Sequence, residues 1–369
     1  MKIKTLFIDY EVPRDEEVDF LIGSLKTPPQ PVQDIREVYE HVNAGQDPIL
    51  RAKHTLFITR NRGAVVKKCP GTSEYTCCDY TILHTGTFCS MDCSYCILQA
   101  YFHPPLMQYF SGLDQLTSHL NPYFKGNQVY RIGTGEFTDS LIWEPISLQP
   151  RFLVNLFARQ DHCVLELKTK TVNIESLLEL EHNQKTILAW SVNSPRIIQS
   201  QERGTASLKQ RLEAAKKAEA AGYRLAFHFD PMVIYDGCIT EYQDVVDQIF
   251  AHVDPKSIAW ISMGTFRFMP HLKVIIENRF KSSDICYGEF ILGLDNKMRY
   301  FKPLRMELYN QTVSYLKKRA PQVLVYFCME DKQVWESSLG FFPSDENELG
   351  RLLDRSAAQH CGLDPSLLP

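Results

Sequence analysis

At 369 residues the chain has room for one large domain with appendages or for a few smaller ones, and its 44% apolar content supplies the core. With 23% charged and 11% aromatic residues it is not a disordered chain, and no apolar stretch is long enough to span a membrane. The formal charge of −4 argues against a generally basic nucleic-acid binder, while a local basic groove stays open to it.

The opening run through Leu6-Phe7-Ile8 is followed at once by Asp9, Glu11 and Arg14, so it reads as a first strand rather than a signal peptide. Residues 32–42 carry helical spacing, and residues 55–59 read as a strand before a turn at Asn61-Arg62-Gly63. Cys69, Cys77 and Cys78 follow at separations that match no compact ligand motif, which favours packing or proximity to another centre. From residue 129 an alternating rhythm begins. Strands are expected at 129–132, 164–170, 186–193, 223–230 and 257–264, and helices at 153–157, 207–221 and 236–253, with Gly222 ending the second. Residues 322–328 read as a strand, and 330–338 and 346–359 as helices.

Strands separated by helix-length segments predict a parallel α/β sheet, and polar residues at strand C-terminal ends fit the working face of a barrel. The expected organisation is an N-terminal α/β extension over 1–80, a barrel over 81–300 and a small C-terminal α/β extension over 301–369. The 11 cysteines, an odd number with two adjacent, form a reduced, cytoplasmic pattern.

The chemistry concentrates in Cys89-Ser-Met-Asp-Cys93-Ser-Tyr-Cys96. Thiolates suit iron–sulfur clusters and zinc alike, and zinc would take a fourth ligand such as Cys77 or Cys78. Three cysteines leave one corner of a four-iron cubane open to a small chelating molecule. Elsewhere, Gly133-Thr134-Gly135-Glu136 follows a strand and allows either close backbone approach to a ligand or a tight turn. Lys170 ends a strand, Ser191 and Asn193 end the next, and His228 and Asp230 are two apart on one strand and share a face. Arg267, Tyr287, Arg299, Lys302 and Arg305 are candidate substrate or phosphate contacts, since positive charge beside aromatics suits a nucleic-acid backbone and base.

The segment from Phe88 through Cys96-Ile97-Leu98-Gln99-Ala100 resembles the cluster loop of the radical S-adenosylmethionine (SAM) enzymes, and residues 80–300 resemble their spore photoproduct lyase branch. The resemblance implies a partial, six-stranded (β/α)6 TIM-type barrel and a [4Fe–4S] cluster on Cys89, Cys93 and Cys96. It also implies SAM bound at the fourth iron and cleaved to a hydrogen-abstracting 5′-deoxyadenosyl radical. Tyr95 would pack near SAM, Gly133, Gly135 and Glu136 would meet its amino group, and Lys170 its carboxylate. Ser191 and Asn193 would bond SAM or its ribose, and His228 would reach the adenosyl pocket. Such a cluster is oxygen-labile and needs an electron donor such as flavodoxin or ferredoxin. A monomer acting on DNA or a nucleotide is expected.

The chain departs from that branch in two places. The lyase's hydrogen-donor cysteine lies in a run beginning with arginine, and here residues 131–140 hold none, Glu136 standing near its place. Ile97 replaces the tyrosine after the third cluster cysteine. Three explanations follow: another donor (Cys163, Cys238, Cys286, Cys328 or a tyrosine), a different nucleotide-like or other small substrate, or a reaction that returns no hydrogen. The contrasting class is a nucleic-acid-binding protein whose cluster is structural or redox-sensing.

Overall fold

The computed structural model describes residues 2–72, 74–343 and 348–368. Two sheets share the chain. In the first, Thr5–Asp9 lies between Pro29–Val32 and Thr55–Thr59, all parallel, and Met107–Phe110 and Gly86–Thr87 extend it. Thr55–Thr59 is buried at every position, as a parallel strand covered on both faces must be. The helix Ile35–Asn43 starts with a capping box, in which the Asp34 and Glu37 side chains each satisfy the other's backbone N–H.

The second sheet is the barrel. Its parallel strands are Thr81–Leu83 (β1), Tyr130–Gly133 (β2), Cys163–Thr169 (β3), Thr186–Ser191 (β4), Arg224–Met232 (β5), Ile258–Thr265 (β6) and Val325–Phe327 (β7). Each pairs with the next in chain order, and Val66–Lys68 adds an antiparallel edge to β1. Helices cross between strands, among them Gln149–Phe157, Leu208–Ala220, Cys238–His252 and Lys302–Arg319. Ser207 and Gln210 form a capping box at the start of Leu208–Ala220, and Gly222 just beyond its end takes φ +90°, a conformation open to glycine. Among the described residues the two sheet edges do not pair with each other, so the barrel is open.

The helix Glu348–Cys361 closes the floor. Asp354 pairs with Arg131 of β2 at 2.7 Å, and Ser356 Oγ donates to the Ala259 carbonyl of β6 at 2.6 Å. Lys185 and Arg224, at the starts of β4 and β5, donate to carbonyls of the same helix end. One 14-residue helix reaches the N-terminal ends of strands this far apart only because the sheet is curled.

Two boundaries differ from the sequence expectation. The first sheet recruits Gly86–Thr87 and Met107–Phe110, which flank the three-cysteine loop, while Val66–Lys68 from the N-terminal stretch joins the barrel. The C-terminal stretch is part of the barrel as well, supplying β7 and the floor helix. The interlocking positions the loop: Cys89, Cys93 and Tyr95 belong to an apolar core shared by the first sheet and the helix Pro270–Arg279. A separate core fills the barrel around Trp190 and Trp260.

Candidate active site

The three-cysteine loop lies over the C-terminal ends of β2 to β4 and is held from three sides. Lys53, 3% exposed, donates to the Cys89 carbonyl at 3.2 Å and to that of Met91, and stands 3.7 Å from Asp92. Arg279 pairs with Asp92 at 3.0 Å and donates to Gln99, whose amide nitrogen in turn donates to the Cys93 carbonyl at 2.9 Å. On the third side Glu202–Arg203 pairs antiparallel with Asp92–Cys93, and Ser94 is bonded to Gln201 through backbone and side chain. Glu202 then accepts from Tyr95 Oη and from the fully buried Arg211. Burial pushes the Glu202 carboxyl up, but the Arg211 and Lys170 charges and these hydrogen bonds more than offset it and hold the group below its ordinary range.

Cys89 and Cys93 are buried and Cys96 is partly exposed; each of the two buried thiols feels the charge of Cys96. Burial raises the Cys93 thiol, with the Glu202 charge adding and Lys170 opposing; burial and the Asp139 carboxylate push Cys89 up to about 12 against Lys53. The Met91 N–H donates to Cys89 Sγ at 3.4 Å. Lys170 Nζ lies 5.8 Å from the Tyr95 ring centre. Its backbone N–H donates to Asp139, a half-buried carboxylate that also accepts from Thr169 and Leu141. Thus Tyr95 and Lys170 come together at the loop.

The donor set fits a cluster better than a single ion. Among the described residues no three Cys, His, Asp or Glu side chains are spaced to hold one metal ion, whereas a cubane takes each thiolate at its own iron. Cys77 and Cys78 have each other, Cys69 and Cys328 as thiol neighbours. Cys77 is within hydrogen-bonding reach of Cys69 and Cys78, and accepting from both thiols lowers it to about 2.

Lower in the barrel, His228 bridges β3 and β6: Nε2 meets Glu166 at 2.6 Å and Nδ1 meets Ser262 Oγ at 2.8 Å. Burial pushes Glu166 up, but the charge and hydrogen bond of His228 hold it below its ordinary range. His228 is thus buried in a polar layer of the lumen. Lys168, two residues from both Glu166 and Lys170, faces the same lumen; burial works against its charge, but Glu136, Glu166, Asp230 and Cys328 together raise it. On the far rim Asp230 stands 3.6 Å from Arg267, whose Nη2 lies 3.5 Å from Cys328 Sγ.

Several expected contacts take other roles. A Cβ on Gly133 would stand 1.7 Å from Tyr80 Oη, and one on Gly135 3.0 Å from Lys168 Cβ, so both glycines make room for protein side chains. Asn193 donates to the Pro231 carbonyl at 2.7 Å and accepts from Ser194 N–H and Tyr242 Oη, which occupies it in fixing the turn after β5. Ser191 is buried, and its carbonyl accepts from Arg211 at 2.9 Å. Arg299 is 2% exposed and committed to Asp295 and the Met329 carbonyl; Arg305, 3% exposed, is held by the Tyr300 carbonyl and Glu330. These two arginines join a β-hairpin to the C-terminal stretch. Lys302, half-exposed, pairs with Asp331 at 3.0 Å, and Tyr287 is exposed, its hydroxyl donating to Glu277.

Sequence reading missed Lys53, Asp139, Lys168, Glu202, Arg211 and Arg279. Each acts across at least 9 positions or a strand crossover, and no local spacing marks it.

An open parallel barrel in chain order, with a three-cysteine loop clamped over the strand ends beside a lysine, defines the radical SAM class of enzymes. The family model described as spore photoproduct lyase matches residues 49–302. Spore photoproduct lyase of Geobacillus sp. (strain Y412MC61) is 25% identical over 281 residues, covering 73% of this chain and 79% of that protein. The Bacillus subtilis (strain 168) lyase is 25% identical over 256 residues, covering 68% and 71%. Among solved structures, a spore photoproduct lyase double mutant with bound AdoMet and dinucleoside spore photoproduct aligns with TM-score 0.75 at 21% identity. It covers 88% of this chain and 98% of that one. The chain belongs to the spore photoproduct lyase family.

Proposed function

We propose that this protein is a radical SAM enzyme that repairs a thymine photoproduct in DNA, with Cys89, Cys93 and Cys96 holding a [4Fe–4S] cluster. When bound, the cluster and SAM supply a 5′-deoxyadenosyl radical for hydrogen abstraction. The observation that carries the reading is the clamped loop. Lys53, Arg279 and the Glu202–Arg211 pair fix the loop around Cys89 and Cys93 before any ligand arrives, and Cys96 follows in the turn closed on the Cys93 carbonyl, which is the preorganisation such a site requires. Lys170 offers a positive charge to a carboxylate beside the loop, and Tyr95 forms the wall under it. Glu136, Lys168, Asp230 and Arg267 line the lumen below, where a polar base edge finds donors and acceptors.

The DNA itself is placed by a second surface. Phe290–Leu292 and Met298–Tyr300 form a hairpin whose third strand, Arg267–Phe268, carries the lumen arginine. Ile291, Leu292 and Leu294 are 46%, 59% and 75% exposed along it. Apolar side chains beside a polar pocket suit a wedge that opens a base step and hands the lesion to the lumen. The protein works as a monomer with an external electron donor of the flavodoxin or ferredoxin kind.

Among the described residues no helix is long and apolar enough to cross a membrane. The test is anaerobic reconstitution and reduction with SAM, with and without UV-irradiated DNA, measuring 5′-deoxyadenosine and restored thymine. Both products are expected. 5′-Deoxyadenosine without thymine restoration would keep the radical enzyme and reject the DNA lesion as substrate.

A further inference from the structure

We propose that Cys328 is the group that returns a hydrogen atom to the substrate radical. The inference rests on the reading above, in which hydrogen abstraction opens the reaction.

The thiols outside the cluster loop divide by position. Cys163 begins β3 and Cys361 lies in the floor helix, both fully buried at the end of the barrel away from the loop. Cys238 and Cys286 are buried outside the lumen, at the start of a crossing helix and beside Ile285 in the outer core. Cys69, Cys77 and Cys78 are hydrogen-bonded among themselves; Cys77 and Cys78 are electrostatic neighbours of Cys328, and Cys77 is packed so closely on Gly71 that a Cβ there would stand 2.7 Å from its sulfur.

Cys328 differs from all of these. It follows the last residue of β7 at the C-terminal end, and its N–H donates to the Met263 carbonyl at 3.0 Å. Its side chain is partly exposed and accepts from Arg267 Nη2 at 3.5 Å. It also shares an electrostatic environment with Lys168 of β3 and with Glu136. In the sheet β4, β5 and β6 separate β3 from β7, so only the lumen joins Lys168 to Cys328. The sulfur therefore faces the space that Lys168, Asp230 and Arg267 line.

The step balances within the site. The S–H bond of Cys328 breaks homolytically, a C–H bond forms at the substrate carbon, and the unpaired electron passes from that carbon to sulfur. No proton or external electron is needed. A donor must carry its hydrogen, and burial, opposed by Arg267 and aided by Asp230, pushes this thiol up to about 11, so it is protonated at neutral pH. The nearby alternatives do not serve. Glu136 has no weak X–H bond, and the Tyr80 hydroxyl is enclosed under Gly133 with no hydrogen-bond partner among the described residues. Cys77, the neighbouring thiol, accepts from Cys69 and Cys78 and is held far below the usual thiol range, so it has no hydrogen to give.

The test compares wild type, Cys328→Ala and Cys328→Ser, each with its cluster reconstituted, acting on UV-irradiated DNA in D2O. Wild type is expected to restore thymine carrying deuterium taken from the exchanged thiol. Both variants are expected to keep forming 5′-deoxyadenosine and consuming the lesion, while restored thymine falls at least about tenfold. A Cys328→Ala variant that restores deuterated thymine at the wild-type rate overturns the inference.

A second measurement is independent of turnover. Iodoacetamide applied to the folded protein and read by peptide mass spectrometry should label Cys328 ahead of Cys163, Cys238, Cys286 and Cys361, and lesion-containing DNA should slow that labelling. Cys328 labelled no faster than those four enclosed thiols would also overturn the inference. Absence of lesion loss in the wild type itself removes the DNA reading and this inference together, an outcome distinct from a working wild type with an equally competent variant.

Discussion

The two rims of the barrel mouth are built by opposite means. The cluster rim is one short loop whose chemistry lies in eight consecutive residues, and the fold's task there is to hold it still with buried ion pairs. The far rim has no motif. Asp230 comes from β5, Arg267 from beyond β6 and Cys328 from beyond β7, brought together only by the curl of the sheet. The cluster rim keeps its ligands through clamps, so removing a ligand abolishes chemistry and removing a clamp costs stability. The far rim is an assembly of single side chains, so changes there alter the outcome of the reaction.

The largest effect separates ligand from clamp. Cys93→Ala is expected to lose iron and all SAM cleavage while the thermal melting curve stays cooperative, because Lys53, Arg279 and the Glu202 strand still hold the backbone. Iron analysis and calorimetry check both halves.

Arg211→Met strikes the clamp and leaves Glu202 buried without its cation, costing about 3–5 kcal/mol in urea unfolding. The pH dependence carries a definite sign. With Glu202 held below its ordinary value of 4.5, its contribution is complete above that pH and is lost as pH falls below it through the folded-state value. The wild type should lose this contribution on acidification, and Arg211→Met should show a flatter acid limb.

Gly133→Ala tests the packing behind the mouth. The new methyl meets Tyr80 Oη and should cost about 1–3 kcal/mol, and Tyr80→Phe in the same chain should recover part of it. The smallest effects belong to the hairpin surface. Leu294→Ser should leave the melting temperature unchanged and lower repair of duplex DNA more than repair of a dinucleotide lesion. Lys302→Ala should weaken DNA binding only slightly and reduce the salt slope by about 1.

What was readable in the sequence follows the same division. The barrel strands were legible because parallel strands buried on both faces form apolar runs, and residues 258–265 are buried throughout. The three-cysteine loop was legible because its spacing is local. Lys53 was not, because its meaning depends on a first sheet that borrows strands from either side of the loop. Arg299 and Arg305 carry structural pairings that the sequence did not show, for a related reason. Basic residues beside aromatics look like a nucleic-acid surface until Asp295 and Glu330 are seen to neutralise them in the interior. Asn193, at a strand end, carries the same residue pattern whether it binds a ligand or fixes the next turn.

The measurement that tests the central claim most directly compares iron content and 5′-deoxyadenosine formation in reconstituted, reduced wild type and Cys96→Ala. The account predicts an iron–sulfur cluster and SAM cleavage in the wild type, and neither a complete cluster nor cleavage in the variant. A wild type that binds zinc in place of iron, or a Cys96→Ala variant that still cleaves SAM, would contradict it.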